Sequence, residues 1–261
     1  MQLVWLVRRC APRLWGCPVR LIRVHVPGPL VPRGRCTVQG EAAGHLVRVL
    51  RLAVGAELAV FDGTGGEFAG RIEAVRKGEV LVALGERHER ASESPLRLTL
   101  AQAVARGERM DWVVQKAVEL GVSAIVPVLS ERSVVRLDVA QARHKQRHWQ
   151  RIAVAACEQS GRNHVPEVSE PLALAAWLAA LPAGGVRLLL SPQGAVGLAS
   201  LPNATSEVLV LIGPEGGLTE AEVRAARARG FESVRLGPRV LRTETAAVVA
   251  LALLQQRFGD L

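Results

Sequence analysis

The sequence of 261 residues is long enough for one large domain or two of moderate size, each with a substantial core. It has no Tyr, four Phe and five Trp, so aliphatic side chains must fill that core, and stacking of bases on aromatic rings is a weak route to RNA binding. Basic residues outnumber acidic ones by 33 to 24, a formal net charge of +9 that favours a polyanionic partner.

Arginine accounts for nearly all of the positive charge. Only three of the 33 basic residues, Lys77, Lys116 and Lys145, are lysines. A guanidinium suits bidentate contacts with phosphates and base edges, which again points to a nucleic acid. A GC-rich genome would also explain the high ratio of Arg to Lys, but it would not explain the excess of positive charge.

Four cysteines lack the paired spacing of a zinc site, so we expect free thiols in a reducing cytosol and no bound metal. No apolar run reaches the roughly 20 residues that a transmembrane helix needs, and we predict no membrane span. Residues 1–18 carry a short apolar stretch before two arginines, an order opposite to that of a signal peptide. The sequence therefore predicts a cytoplasmic protein.

Residues 20–86 alternate short apolar runs with Gly-containing turns, a pattern typical of a small β-barrel. Asp62-Gly63 and Lys77-Gly78 each separate two apolar segments, where we expect hairpin turns, and Gly55 marks a further turn.

One helix is predicted to interrupt the barrel pattern at residues 41–52. Its apolar face is formed by Ala42, Leu46, Val49 and Leu50. Residues 87–95 are polar and end in Pro95, so we interpret them as a linker between two domains.

Beyond the linker, apolar strands alternate with helices, which predicts a parallel α/β sheet covered on both faces. Predicted strands lie at 97–104, 123–130, 186–191, 207–213 and 233–237. Predicted helices lie at 108–121, 139–159, 219–230 and 243–258.

The strongest local motif is LVLIGPEGGLTEAEV at residues 209–223. An apolar strand enters a Gly-rich turn, and Thr219 with Glu222 then forms the pattern of a helix capping box. Such a turn lets backbone groups approach an adenine or ribose edge, although it lacks the spacing of a nucleotide phosphate loop. Taken alone, it is equally well explained as a tight turn with no ligand.

A second junction of the same kind follows in SVRLGPRVLRTETAAVV, where Leu236-Gly237 ends a strand and a polar cluster opens a long apolar helix. Either Thr243 or Thr245, together with Glu244, suits the start of a helix. Arg242 does not, because a cation is unfavourable beside the positive end of the helix dipole. We therefore expect Arg242 to contact a ligand or RNA.

These motifs occur with CEQSGR at residues 157–162 and HLVRVLR at 45–51, and together they resemble the ribosomal RNA small-subunit methyltransferase E family from about residue 19 to 261. The resemblance implies methylation of N3 of a uridine in 16S ribosomal RNA, with S-adenosylmethionine as methyl donor. It also implies an α/β fold, with a PUA-like β-barrel at residues 19–90 and a SPOUT domain at 95–261. The SPOUT domain would contain a parallel sheet and a deep trefoil knot through which two copies form a homodimer. Residues 1–18 would be an extension from a mis-assigned start, or disordered.

The resemblance places the cofactor between three loops of the SPOUT domain. The expected contacts are Leu190, Ser191, Pro192, Ile212, Gly213, Pro214, Glu215, Gly216, Gly217, Leu236, Gly237, Leu241, Arg242, Thr243 and Thr245. In the family a second small or His residue often precedes the position of His45; Gly44 stands there, which puts a paired imidazole in doubt.

For catalysis, Arg242 is the candidate to stabilise charge that develops on the uracil oxygens, and Glu244 the candidate to take or relay the N3 proton or to fix Arg242. Glu244 has the simpler alternative of a partner for the helix dipole.

For RNA contacts we selected arginines of the barrel, each of which is also explained as a solvated surface charge, and polar residues in or beside two SPOUT helices. The full set is Arg20, Arg23, Arg48, Arg51, Arg106, Lys116, Glu158, Gln159 and Arg162. Simpler alternatives exist for several of them. Lys116 and Glu119 suit a surface ion pair. The CEQSGR segment, which contains Glu158, Gln159 and Arg162, is also explained as a helix end with Gly161 as its C-cap, followed by a loop. The RNA partner would be 16S ribosomal RNA or the assembled small subunit. Competing functions are a non-catalytic RNA-binding protein and a SPOUT enzyme that acts on transfer RNA.

Overall fold

The computed structural model describes residues 21–182, 184–194, 196–198, 201 and 204–261. The extension predicted for residues 1–18 lies outside the described residues, and so does Arg20. No helix in the described ranges is both long and apolar enough to cross a membrane.

The amino-terminal part forms a five-stranded sheet in the order β1-β3-β4-β5-β2. Its strands are β1 (Arg23–His25), β2 (Arg35–Gln39), β3 (Glu57–Phe61), β4 (Gly66–Arg76) and β5 (Glu79–Glu89). β1 pairs with β3 in parallel, and all other pairs are antiparallel. The hairpins expected at Asp62-Gly63 and Lys77-Gly78 are confirmed, because β3 to β4 and β4 to β5 connect there.

The helix predicted for residues 41–52 differs from the observed one. α1 (Gly40–Gly44) passes directly into a single π-helical turn at His45–Val49. This wider turn shifts the helix face, so Leu46 is buried while Val49 is 64% exposed. Arg51 then adopts a φ of 54°, in the left-handed region, and ends the segment.

The predicted linker is also shorter than expected. Arg87–Glu89 continues β5 and pairs with the start of β4, so the connection begins only at Arg90. Alternation of polar and apolar residues fades at the end of β5 because its last four residues are exposed.

The carboxyl-terminal part is the parallel α/β sheet that the sequence predicts. Eight strands belong to it: β6 (Arg97–Ala103), β7 (Ala124–Leu129), β8 (Glu167–Val168), β9 (Leu172–Ala173), β10 (Val186–Leu190), β11 (Val196–Gly197), β12 (Glu207–Ile212) and β13 (Glu232–Arg235). The order is β11-β13-β10-β12-β6-β7-β8, with β9 also on β7, and every pair is parallel.

Within the part of the chain that the structure describes, five helices accompany this sheet: α2 (Arg109–Glu119), α3 (Val139–Ser160), α4 (Leu174–Ala180), α5 (Glu220–Ala228) and α6 (Thr243–Phe258). The predicted capping box of Thr219 and Glu222 is present at the start of α5. Gly161 ends α3 in the left-handed region with a φ of 88°, as a C-cap glycine should. The predicted bounds of α6 are also observed.

The two sheets contact each other at β1, the β3–β4 turn and the end of α3. The backbone N–H of His25 donates to Glu158 Oε1 at 2.9 Å, and Thr64 forms an isolated β-bridge with His164. Arg23 lies over the Phe61 ring, 4.8 Å from its centroid. Phe61 itself packs into the large apolar cluster of the α/β part, so a barrel side chain completes the core of its neighbour.

Candidate functional site

The candidate site lies at the carboxyl edge of the parallel sheet. In such a sheet all strands end on the same side, so the loops that follow neighbouring strands lie close together. The loops after β10, β12 and β13 meet there around a cavity of about 1160 Å³. These are the three segments in which the family resemblance implies cofactor loops.

Most of the expected cofactor contacts line this cavity. They are Leu190, Ser191, Pro192, Ile212, Gly213, Pro214, Glu215, Gly216, Gly217, Leu236, Leu241, Arg242 and Thr243. Two further candidates, Gly237 and Thr245, are exposed residues that do not line the cavity. Gly237 has a φ of 79°, so the backbone conformation of the loop explains why a glycine occupies this position.

Loop contacts bring β10 and β13 especially close at this edge. The backbone N–H of Ser191 donates to the carbonyl of Val234 at 3.0 Å. A Cβ added at Gly194 would lie 2.6 Å from the carbonyl carbon of Val234, so only glycine fits between these segments.

The loop after β12 is tied to the start of α6 through buried polar groups. Thr243 Oγ1 donates to the carbonyl oxygen of Gly213 at 2.7 Å and accepts from Gln102 Nε2 at 3.0 Å. Gln102 is fully buried at the end of β6 and also donates to the carbonyl of Ala103. The loop after β12 and the first turn of α6 are therefore held by side chains that do not themselves face solvent.

Glu215 is anchored at the cavity wall by two neighbours. Its Oε1 accepts from the backbone N–H of Arg106 at 3.2 Å and from Arg109 Nη1 at 2.8 Å. Partial burial opposes ionisation, but hydrogen bonds from its own backbone N–H, from Arg106 and from Arg109 outweigh that effect and lower the pKa of Glu215. Glu215 is therefore a carboxylate at neutral pH.

Arg242 and Glu244 flank Thr243 at the amino terminus of α6, and both line the cavity. Arg242 occupies the N-cap position without a side-chain capping bond, is exposed, and lines the cavity. Glu244 also lines it, but its side chain is only 14% exposed. Glu244 Oε1 lies 3.9 Å from Arg109 Nε, and its buried Oε2 has no hydrogen-bond partner among the described residues.

The ion pair of Glu244 is thus with Arg109 and not with Arg242. Of the roles considered for Glu244, fixing Arg242 receives no support from the contacts. A buried carboxylate oxygen without a partner is costly, and a ligand that brings an N–H donor would satisfy it.

Some of the residues proposed to contact RNA are exposed, and others are engaged in contacts within the protein. Arg48 and Arg51 are exposed on the amino-terminal part, and Arg106 is exposed beside the cavity. Lys116 Nζ pairs with Glu119 at 2.8 Å, as the simpler alternative expected, and does not line the cavity. Gln159 is exposed near the end of α3.

The structure corrects the prediction for Arg162. Its side chain is only 7% exposed and pairs with Glu93 of the linker at 2.6 Å. It also donates to the carbonyls of Val118 and Val122 at 3.0 and 2.9 Å. All of this hydrogen bonding is internal, so Arg162 fastens the linker to α2 and the end of α3 and does not face RNA.

Arg23 is corrected in the same way. It pairs with Glu67, donates to the carbonyl of Arg162 and to Asn163 Oδ1, and has a side chain only 7% exposed. Glu158 is half-buried beside it and accepts from the backbone of His25. Burial raises the pKa of Glu158 above its ordinary value, although the His25 hydrogen bond and the nearby cations oppose this. Both residues join the two sheets.

Several residues of the site were not selected from the sequence, and three of them hold its loops and carboxylates in place: Gln102, Arg109 and Arg132. Arg132 lines the cavity and donates to the carbonyl of Gly216 at 3.1 Å. Their places in the sequence could have indicated two of them, because Gln102 lies at the end of a predicted buried strand and Arg132 closely follows another. Among the described residues, no group of His, Cys, Asp and Glu is arranged to hold a metal ion.

Comparison with known proteins decides the family. Residues 92–255 match the RNA methyltransferase domain, and residues 38–84 match the RNA methyltransferase PUA domain. The ribosomal RNA small subunit methyltransferase E of Bacillus subtilis is 34% identical over 225 residues, covering 83% of this chain and 88% of that protein. The chain belongs to the ribosomal RNA small subunit methyltransferase E family. The resemblance inferred from its motifs is therefore confirmed.

Another methyltransferase E, from Buchnera aphidicola of Schizaphis graminum, is 33% identical over 217 residues and covers 83% of this chain and 88% of its own. Among solved structures, the Neisseria gonorrhoeae methyltransferase E bound to S-adenosyl methionine has a TM-score of 0.86 and 36% identity, covering 92% of this chain and 99% of that one. A candidate methyltransferase from Legionella pneumophila with bound SAM has a TM-score of 0.89 and 41% identity, covering 93% and 100%. The chain is thus a mixed α/β RNA methyltransferase with a PUA domain.

Proposed function

We propose that this protein transfers a methyl group from S-adenosylmethionine to N3 of a uridine in 16S ribosomal RNA. One observation carries the proposal: three loops of the family domain enclose one cavity, and an arginine and a carboxylate with an unpartnered oxygen stand together at its wall. Similar chains with S-adenosylmethionine bound support the choice of cofactor.

The residues of the cavity fit this cofactor. Its volume of about 1160 Å³ is ample for a ligand of that size. Leu190, Ile212, Leu236 and Leu241 offer apolar contact to an adenine ring, and the glycines at 213, 216 and 217 leave backbone groups open to its polar edges. Once bound there, the cofactor supplies a methyl group that is electrophilic because it is attached to a sulfonium.

The chain must then prepare the uridine, whose N3 carries a proton and is engaged when the base is paired. We assign Glu244 Oε2 as the acceptor of that proton, because this oxygen is buried and lacks a partner. As the proton leaves, negative charge spreads onto O2 and O4 of the uracil. Arg242 donates to those oxygens and stabilises the anion more strongly than it stabilises the neutral base.

Arg109 supports both carboxylates of the wall. It pairs with Glu215 at 2.8 Å and lies 3.9 Å from Glu244, so one guanidinium fixes the position of two acidic groups. Glu215 Oε1 is engaged by Arg109 and by the backbone of Arg106, and Glu220 is almost fully exposed, so Glu244 is the cavity carboxylate with a buried, unpartnered oxygen. Its assignment as proton acceptor therefore does not depend on Glu215.

The domain division at 19–90 and 95–261, the trefoil knot and the homodimer are further parts of this proposal. Separate sheets with largely separate apolar clusters support the division. β13 lies between β10 and β11 in the sheet although it follows both of them in the sequence. Such an insertion between two earlier strands is what a knotted SPOUT domain requires. Exposed apolar side chains at Trp112, Val240 and Leu253 are available to a second copy.

The decisive experiment in cells is nucleoside analysis of small-subunit RNA from a strain without the gene. We expect 3-methyluridine to be lost, and to return when the wild-type gene is supplied but not with Arg242→Ala or Glu244→Gln. Unchanged 3-methyluridine in the deletion strain would refute the proposal. A methylated nucleoside lost from transfer RNA instead would favour the transfer RNA enzyme, and no loss in either RNA would favour the non-catalytic binder.

A further inference from the structure

The wall and mouth of the cavity carry a large excess of positive charge. Seven arginines line it, against three carboxylates: Arg109, Arg132, Arg224, Arg227, Arg235, Arg239 and Arg242 against Glu215, Glu220 and Glu244. Arg109 and Arg242 have the roles described above. The other five, Arg132, Arg224, Arg227, Arg235 and Arg239, form a set that we call the arginine rim.

The rim comes from four separate places in the chain. Arg132 follows β7, Arg224 and Arg227 lie one turn apart on α5, Arg235 ends β13, and Arg239 lies in the loop that leads to α6. All five are exposed. Arg132 and three segments between residues 224 and 239 therefore present the same charge around one opening, which a solvated charged face of a single helix would not do.

Acidic partners are scarce around the rim. Among the described residues, Arg235 and Arg239 form no ion pair, and Arg224 has only a distant one of 3.7 Å with Glu220. Arg227 donates through Nε and Nη2 to the neutral hydroxyl of Ser233, at 3.2 and 3.1 Å. That contact orients a guanidinium without neutralising it.

Two exposed arginines of the amino-terminal part, Arg33 and Arg35, differ from the rim because each has an acidic partner. Arg33 pairs with Glu86 at 2.5 Å and Arg35 with Glu73 at 2.7 Å. The protein thus pairs several exposed arginines with nearby acids elsewhere, while the rim keeps its charge available to a partner.

The cofactor does not account for this charge. S-adenosylmethionine itself has a net charge of about +1 at neutral pH, from its sulfonium, ammonium and carboxylate groups. A cationic rim repels such a ligand slightly, so the surplus must serve a different, anionic one. A strand of RNA that delivers its base to the cavity brings phosphates to the mouth of that same cavity.

We infer that the arginine rim binds the phosphates on either side of the target uridine and holds that nucleotide as an unpaired strand over the cavity. The inference rests on the proposed function and gives the α/β domain itself a direct RNA-binding surface, beside Arg48 and Arg51 of the barrel. Because RNA phosphates offset the charge of the rim, bound RNA also favours binding of the cationic methyl donor.

The test compares two double variants of the full-length protein that remove the same charge. Arg235→Ala with Arg239→Ala removes two rim arginines that form no ion pair among the described residues. Arg143→Ala with Arg147→Ala removes two exposed arginines of α3, outside the cavity. Binding to unmodified 16S ribosomal RNA is measured at several salt concentrations, and binding of S-adenosylmethionine by calorimetry without RNA.

For the rim variant we expect an RNA affinity about tenfold below that of the control variant, and a salt slope of the logarithm of affinity smaller by about 1.4, that is, about 0.7 for each lost single-strand phosphate contact. Its affinity for S-adenosylmethionine alone should equal or exceed that of the wild type, which also shows an intact fold.

Equal RNA affinity and equal salt slope for the rim and control variants would overturn the inference, provided that wild-type protein forms 3-methyluridine. If wild-type protein forms no 3-methyluridine on RNA or on small subunits from a strain without the gene, the proposed function itself fails. Binding and product analysis therefore report separately on the two claims.

Discussion

The hydroxyl of Thr243 donates to the carbonyl oxygen of Gly213 at a distance of 2.7 Å, and this bond ties the first turn of α6 to the loop after β12. The same hydroxyl accepts from Gln102, which is fully buried at the end of β6. The hydroxyl oxygen of Thr243 thus connects the end of β6, the loop after β12 and the start of α6. The position of Arg242 and Glu244, on either side of Thr243, depends on it.

Replacing Thr243 by Val should therefore weaken both the fold and the site. The variant keeps the side-chain shape but leaves the Gly213 carbonyl and the Gln102 amide without this partner, a cost of about 1–3 kcal/mol. Urea unfolding and calorimetry with S-adenosylmethionine measure the two effects. Thr243→Ser retains the hydroxyl and should recover most of the lost affinity; if Ser and Val variants behave alike, the hydroxyl does not hold the loop.

A second prediction tests the internal role of Arg162. Arg162→Met leaves Glu93 and two backbone carbonyls without their cation, which should lower the free energy of unfolding by about 3 kcal/mol. Arg143→Met removes an exposed arginine that pairs with Glu170 at 3.5 Å, and should cost about 0–1 kcal/mol. Equal unfolding midpoints in denaturant for the two variants would argue against a stabilising role for the buried ion pair and hydrogen bonds of Arg162.

Glycine 194 offers a steric test of the contact between the loops after β10 and β13. In Gly194→Ala the new Cβ must displace the backbone of Val234, and the strain should cost about 1–3 kcal/mol and reduce cofactor affinity. Gly197→Ala is the matched control: its Cβ would meet no described atom within 4 Å, so stability should change by less than about 0.5 kcal/mol. Thermal unfolding and calorimetry distinguish them, and a Gly194 variant as stable as the control would mean that the loops are not in contact.

The raised pKa of Glu158 leads us to predict that the stability of the protein depends on pH. Burial raises its pKa in the folded protein, so the folded state binds the proton more tightly than the unfolded chain does. The stability contributed by the neutral carboxyl is complete below the unfolded pKa and is lost as pH rises through the folded one. Glu158→Gln keeps a neutral side chain at every pH.

The difference in melting temperature between Glu158→Gln and wild type should therefore move in favour of the variant when the pH is raised from 4 to 8. Any constant cost of the weaker hydrogen bond from His25 cancels in that comparison. Melting curves by circular dichroism at the two pH values measure it, and a difference that does not change with pH would contradict a raised pKa.

Several features could be predicted because their cause is local. The capping box of Thr219 and Glu222, the C-cap at Gly161 and the start of α6 at Thr243 all follow from side chains within a few positions of the helix end. The meeting of the three loops could be expected for a similar reason, because parallel strands end at a common edge.

Other features depend on partners that are far apart in the sequence. Arg23 contacts Asn163, 140 positions away, and Arg162 contacts Glu93, 69 positions away. No local pattern indicates such pairs, so both arginines were predicted to contact RNA. The insertion of β13 between β10 and β11 is equally invisible to periodicity, because it is a property of strand order.

The central claim is most directly tested with the purified protein, S-adenosylmethionine and small-subunit RNA that lacks the modification, followed by mass analysis of the digested nucleosides. Wild-type protein should form 3-methyluridine. Glu244→Gln and Arg242→Ala should each form it at least about 100-fold more slowly. Cofactor binding, measured by calorimetry, should be retained in Glu244→Gln, because Glu244 is not among the expected cofactor contacts. A methyl group on another atom, or full rates in both variants, would contradict the assignment of this cavity and these two side chains.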